Sequence, residues 1–147
     1  MKIEGLEELK SAIKGFETIP KKIITKSTRK GAREVLLAAR ANAPKDTGIL
    51  RRALYVKGER SKNKLKKVFE VTFNKKYNDK LVKISKEGKR SYYPASIEYG
   101  FITKSGAKTQ GVHYLRRAAQ ENEETAKKVI VDNLISNIEK EWAKKWH

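Results

Sequence analysis

Apolar positions recur at helical spacing towards both ends of the chain and alternate in its middle. Leu6, Leu9, Ile13 and Phe16 repeat every three or four residues. This predicts a short amphipathic helix over residues 5–16, bracketed at its end by Gly15 and Pro20. A longer helix is predicted from about Pro20 to Ala43, with proline in the first turn, where no backbone donor is needed. Its apolar face is Ile23, Ile24, Val35, Ala38 and Ala39, with Gly31 and Ala32 between them. Small residues there suit the close approach of another backbone. Pro44 ends the helix, because the residue before a proline is pushed out of helical geometry. In the corner that follows, Pro44, Asp46, Thr47 and Gly48, either Asp46 or Thr47 can cap a further turn over Ile49 to Leu54.

The middle reads as strands. Leu54 to Lys57 is one short run. Lys66 to Phe73 alternates, with Phe69, Val71 and Phe73 on the apolar side and Val68 and Glu70 on the other. Lys80 to Ser85 predicts a third strand. The Lys-rich links Gly58 to Leu65 and Asn74 to Lys80 read as exposed hairpin loops. Tyr92 to Tyr99 is ambiguous, and Pro94 could open one helical turn ending at Gly100. Ile102 to Val112 is rich in Thr, Lys, Ser and Gly, and is expected to be a flexible loop.

The last helix is predicted from Leu115 to about Trp146, and its apolar stripe changes face. Leu115, Ala118, Ala119, Ala126, Val129 and Ile130 share one side; Val131, Leu134, Ile135, Ile138, Trp142 and Trp146 lie nearly opposite. Either the helix breaks near Asp132-Asn133, or its second half packs on something else. Leu134, Ile138, Trp142 and Trp146 are therefore candidate contacts with a neighbouring subunit.

The chain has 147 residues, the size of one ordinary domain, and can bury a core without staples. It has no cysteine, hence no disulfide and no Cys-based zinc or redox site. No apolar run approaches the ~18 residues of a membrane span, and Met1 to Gly5 lacks the apolar core of a signal peptide. The expectation is a soluble intracellular product with no membrane partner.

Charge changes the picture. The formal net charge is +18. Residues 1–90 hold 26 Lys and Arg against 10 Asp and Glu, whereas residues 91–147 hold 9 against 7. Such asymmetry suggests a polyanion or an acidic protein surface as partner. At ~100° per residue, Lys22, Lys26, Arg29, Arg33 and Arg40 fall on one narrow stripe of the long helix, opposite its apolar face. Such a stripe could line phosphate oxygens without reading bases, or be a solvated helix face. The loop lysines Lys62, Lys64, Lys66 and Lys67 could add to such a surface, or simply keep the hairpins soluble.

Catalytic chemistry finds little support. The two histidines, His113 and His147, sit in no recognisable Ser/His/Asp context, and no phosphate-cradling glycine motif occurs. Asp46 reads as a cap. Glu98, among aromatics, is expected to pair with a basic neighbour rather than to act as a general acid. No cofactor or metal site is indicated.

Several short segments together resemble the head–tail joining, or tail-completion, family of tailed bacteriophages. Ile3-Glu4-Gly5-Leu6-Glu7-Glu8-Leu9 is similar to the family's opening. Ala39 to Arg51, through Asn42-Ala43-Pro44-Lys45-Asp46-Thr47-Gly48, is similar to its most recognisable segment. Tyr93 to Gly100 resembles its aromatic–Glu–aromatic–Gly segment, and Tyr114 to Ala119 opens a last helix as the family does. Two departures stand out: Gly100-Phe101 where the family often has Gly-Thr, and His113-Tyr114-Leu115 where it often has Pro-Phe-Leu. The loop between is therefore expected to differ in shape.

The resemblance implies an α+β fold, a small antiparallel sheet packed by the long helix and the last helix. It implies a structural, non-enzymatic role without cofactor. Copies would form a ring, six-fold or a multiple of it, in the virion neck after assembly in the host cytoplasm. The ring would join the portal-side head-completion protein to the tail terminator and tail tube, with DNA passing through. Defective prophages and phage-tail-like bacteriocins carry the same proteins. The competing reading from the residues alone is a non-specific nucleic-acid-binding protein that uses the basic helix 20–43.

Overall fold

The structure, a computed structural model, describes residues 21–63 and 66–145. The helix expected over residues 5–16 and Trp146 lie outside the described residues. In chain order the elements are α1 (Lys21–Asn42), α2 (Ile49–Ala53), β1 (Leu54–Gly58), β2 (Phe69–Phe73), a 3-10 turn (Lys75–Tyr77), α3 (Asn78–Leu81), β3 (Val82–Ile84), β4 (Arg90–Tyr92), α4 (Tyr93–Tyr99), β5 (Gly100–Ile102), β6 (Lys108–Gln110), α5 (Tyr114–Glu121) and α6 (Glu123–Lys145). This is the expected α+β architecture, two long helices with antiparallel strands between them in sequence.

The frame is the pairing of α1 with α6. Gly31 faces Ala126 and Ile130, while Ser27 Oγ donates to Asn133 Oδ1 at 3.3 Å. Contacts climb α6 as they descend α1, so the helices run antiparallel. Ile23, Ser27 and Gly31 are the buried positions at this seam. A Cβ on Gly31 would collide with the Ile130 side chain and come 2.9 Å from the Ala126 carbonyl. The small residues read in the sequence thus do permit close approach. Buried Ser27 has its polar partner on α6, where Asn137 Nδ2 also donates to Asn133 O at 2.6 Å. This satisfies polar groups that burial would otherwise penalise.

The main core lies towards the other end of α1. Leu36, Ala39 and Ala43 pack with Leu50, Ala53, Leu54, Leu81, Tyr114 and Ala118. Leu36 belongs to the buried face, although the periodicity points to its neighbours. β1 and β2 pair antiparallel with Leu54 opposite Phe73 and Val56 opposite Val71, and these four face or flank the core. The other side carries Lys57 opposite Glu70, an exposed ion pair at 3.2 Å. Phe69, Val71 and Phe73 are therefore the inward set, as their alternation predicts.

The strands do not form one sheet. Among the described residues they form three separate two-stranded ladders, β1–β2, β3–β4 and β5–β6. Residues 74–80, expected as a hairpin loop, are mostly helical. Asn74 Oδ1 accepts from Lys76 N at 3.1 Å and starts the 3-10 turn, and α3 follows directly. That local capping explains why polar, Lys-rich residues here are not a loop. Tyr93 to Tyr99 is helical with Pro94 at its start, and Gly100 ends it at φ 82°. Ile102 to Val112, expected as a loop without regular structure, carries the β5–β6 hairpin, closed by Gly106 N donating to Thr103 O at 2.9 Å.

The last helical region breaks, but not at Asp132-Asn133, where α6 is continuous. The break is at Asn122, whose Nδ2 donates back to Ala118 O at 3.0 Å while its own carbonyl starts α6. Such side-chain competition for the backbone is what interrupts a helix at asparagine. The face change beyond residue 130 remains: Ala126 and Ile130 meet α1, whereas Val131, Ile135 and Trp142 are exposed.

The corner after α1 is held by arginines rather than by Asp46. Arg51 Nε and Nη2 donate to Ala43 O at 3.1 and 2.9 Å, and Nη2 also reaches Ala41 O at 3.3 Å. Arg52 Nη2 donates to Thr47 O at 3.2 Å. A cation on the last carbonyls of a helix also meets the negative end of its dipole. Thr47 Oγ1 accepts weakly from Ile49 N at 3.4 Å, while exposed Asp46 makes none of these bonds.

Two stability predictions result. Gly31→Ala should lower the melting temperature, although alanine gains about 1 kcal/mol of helix propensity over glycine, because overpacking costs roughly 1–3 kcal/mol. Arg51→Ala should cost about 1–2 kcal/mol through its charged hydrogen bonds, whereas Asp46→Ala should change little; thermal unfolding of the three variants distinguishes them.

Candidate polyanion-binding groove

The outward face of α1 forms one wall of a groove of about 800 Å³. Lys21, Lys22, Lys26, Arg29, Lys30 and Arg33 line it, with Thr25 and Asn133. Helical periodicity brings Lys22, Lys26, Arg29 and Arg33 onto one line along roughly 16 Å of axis at 1.5 Å per residue. Lys21 and Lys30 flank that line. Thr25 turns its hydroxyl back to Lys21 O at 2.7 Å, so the polar character of the groove is mostly cationic.

None of the six cations makes an ion pair among the described residues; the carboxylates that form salt bridges do so elsewhere. The β1–β2 hairpin adds to the groove's edge. Arg29 stacks its guanidinium over the Phe69 ring at 5.4 Å, a cation–π contact that orients it. Lys67 comes up against Lys21, and its ammonium is held below the ordinary lysine range by desolvation first, then by hydrogen bonding to Lys21 and the charge there. Two ammonium groups brought together without a carboxylate repel each other, and an anion between them would relieve that repulsion.

Four of the five stripe residues read from the sequence are thus brought together. The fifth is not. Arg40 lies on the same angular line, but β1 packs there, and Arg40 Nη2 donates to Leu54 O at 2.7 Å. Its guanidinium is spent on the fold. Lys21, Lys30 and Lys67 are additions that the structure makes to the stripe. Lys30 borders the stripe and becomes visible in the sequence when it is widened; Lys21 shares the angle of Ala39 and joins as the first residue of the helix; Lys67 arrives from another segment, which helical periodicity cannot show.

The other candidates separate from the groove. Glu98 was expected to pair with a basic side chain. It is instead 4% exposed, and its carboxylate caps α5: Oε2 accepts from Leu115 N at 2.9 Å and Oε1 from Arg116 N at 3.1 Å. A buried carboxylate at a helix N-terminus satisfies two orphan donors and meets the positive dipole end. His113, at φ 52°, supplies no side-chain cap there. The Tyr114 hydroxyl is buried beside it, and burial, then the Glu98 charge, push its pKa far up. Both Glu98 oxygens are occupied by structure. Leu134 and Ile138 are half-buried on α6, and Trp142 is exposed. Among the described residues, no group of three or more His, Asp and Glu side chains could hold a metal ion, and no helix is long and apolar enough to cross a membrane.

Comparison with known proteins gives one family. The family described as "Bacteriophage HK97-gp10, putative tail-component" matches residues 7–107, and the chain belongs to that family. The curated proteins and the solved structures give no significant match. The matched span includes α1, the arginine corner, Glu98 and Gly100.

Glu98→Ala should destabilise the protein by about 1–3 kcal/mol, the cost of leaving buried donors unpaired. Glu98→Gln, which keeps one acceptor oxygen, should lose less. Urea unfolding of the two variants checks the order.

Proposed function

We propose that the protein is a structural subunit of the phage neck, assembled as a ring of six or a multiple of six copies that joins the portal-side head-completion protein to the tail terminator and tube, with its basic groove turned towards passing DNA. The observation that carries this reading is the groove itself: six cations side by side, without an ion pair among the described residues, on a member of a phage tail-component family. A ring around DNA needs attraction that tolerates sliding. Phosphate contacts provide that, because they carry no sequence information and exchange readily with counterions. The half-exposed Trp142 side of α6 supplies a surface for neighbouring subunits. The same reading covers prophage-encoded and bacteriocin-like particles, in which the tail machinery is retained.

The acidic-partner alternative uses the same groove, docked on a carboxylate-rich neck protein. The two differ in what salt and charge reversal disturb. The expected outcome is weak, sequence-independent DNA binding whose affinity falls steeply with salt. Each phosphate that the protein ceases to neutralise takes about 0.9 from the slope of log K against log salt. Arg29→Glu with Arg33→Glu should therefore flatten that slope by roughly two and weaken DNA retention, measured by fluorescence anisotropy across a salt series. Unchanged DNA binding together with failure to assemble onto tails would assign the groove to an acidic protein instead.

A further inference from the structure

Two surfaces of the protein lie uncovered, and each has what the other lacks. The first is a pair of hairpins, β3–β4 and β5–β6. Each ladder has only two strands, so among the described residues both edges of each stay unpaired, and such a hairpin is marginal in water without cover. Their tips are tied together by an ion pair between Lys104 Nζ and Glu87 Oε1. Their exposed apolar side chains include Ile84 at 71%, Ile102 at 67% and Phe101 at 47%. Residues 82–92 and 100–111 together carry six Lys and Arg and one acid, the same Glu87 that Lys104 holds. The arm is thus apolar and cationic. Its root is fixed: Val112 N donates to Ile97 O at 2.8 Å, and a Cβ on Gly100 would collide with the Thr109 carbonyl.

The second surface is the outer face of α6. Val131, Ile135, Ile138 and Trp142 follow a four–three–four spacing, which places them within one narrow stripe at ~100° per residue. That stripe points away from the Ala126 and Ile130 side, which meets α1. Asp132 and Glu139 run along one flank, both exposed and neither in an ion pair among the described residues. Residues 121–141 hold six carboxylates and three lysines, the most acidic stretch of a chain whose net charge is +18.

Charge decides the occupant. Copies of so basic a chain repel one another over most of their surfaces. A cationic arm gains nothing by approaching the basic groove or another arm. The outer face of α6 is where a second copy meets both apolar cover and negative charge. Because arm and stripe are different surfaces, the contact is heterologous: each copy that receives an arm still offers its own. Repeating that step closes a ring when the rotation permits.

We infer that the β3–β4 and β5–β6 arm of one copy docks on the Val131–Ile135–Trp142 stripe of a second copy, with lysines of the arm against Asp132 and Glu139. This deepens the ring assembly proposed above and rests on it for its biological setting, but its test needs neither DNA nor particles.

The full chain is studied by sedimentation velocity in physiological salt over a concentration series, with two variants. One disables the arm, Phe101→Asp with Ile102→Asp; the other disables the stripe, Val131→Lys with Ile135→Lys. All four positions are partly or largely exposed, and melting temperatures near wild type verify the fold. Should either double variant fail to fold, Ile102→Ser and Ile135→Ser replace it. The wild type should assemble, and each variant alone should stay monomeric. An equimolar mixture of the two should form a dimer and nothing larger, because one intact arm meets one intact stripe. A mixture that stays monomeric overturns the inference, and so does a variant that assembles as the wild type does. A wild type that is monomeric at every concentration also overturns it, yet leaves the DNA-binding test of the proposed function untouched.

Discussion

A buried carboxylate organises the centre of this molecule. Glu98 sits near the end of the short helix α4, whose first turn carries buried Pro94, and its two oxygens fix the first turn of α5. An unpaired charge so deep would cost several kcal/mol. Here the compensation is a helix end, whose backbone donors need partners just as much. That single exchange holds three things in place. It sets the direction of α5, which puts Tyr114 and Ala118 into the core. It reinforces the roots of the β5–β6 hairpin, where His113 N independently donates to the main-chain carbonyl of Glu98 at 3.2 Å. Through α5 and the Asn122 break, it aims α6 back along α1.

The second organising device is a set of arginines that act as backbone ligands. Arg40, Arg51 and Arg52 each donate to carbonyls around the turn between α1 and β1. Guanidinium, with its planar fork of donors, suits this better than an ammonium would. The division of labour among the cations follows from position. Those beside the turn between α1 and β1, where carbonyls of Ala43, Thr47 and Leu54 lack helical partners, are consumed by the fold, while those from Lys21 to Arg33 stay available in the groove.

Much of the frame was legible from spacing. The long helix, its end at Pro44, the inward set of β2 and the two-faced last helix all follow from periodicities of 3.6 and 2, which local backbone geometry enforces. What escaped was decided by non-local chemistry or by side chains competing with the backbone. Glu98 was expected to find a basic side chain, and found backbone N–H groups of a helix that begins well downstream. Arg40 looked like one more cation of the stripe until β1 supplied a carbonyl. Asn74 and Asn122 redirected the chain through their own amides, producing a helical turn where a loop was expected and a break one turn after α5's last core residue. Thr, Lys and Gly in residues 102–112 signalled polarity correctly, but a hairpin can form with one strand wholly polar, as β6 is. The groove was half legible: one helix face shows in a sequence, and the loop lysines were candidates for it, but only the fold shows Lys67 to be one that meets Lys21.

The α1–α6 seam spans a long stretch of chain, for Ser27 and Asn133 are 106 positions apart. The three ladders and the arginine corner, in contrast, join residues close to one another in sequence. Closing a long loop costs entropy before its contacts give anything back. During synthesis, the Ile23–Ser27–Gly31 face of α1 therefore waits exposed until α6 has left the ribosome. A chain cut short before Ala126 would leave Ser27 and Gly31 without the α6 residues that meet them, so the last part of synthesis decides whether the first long helix is covered.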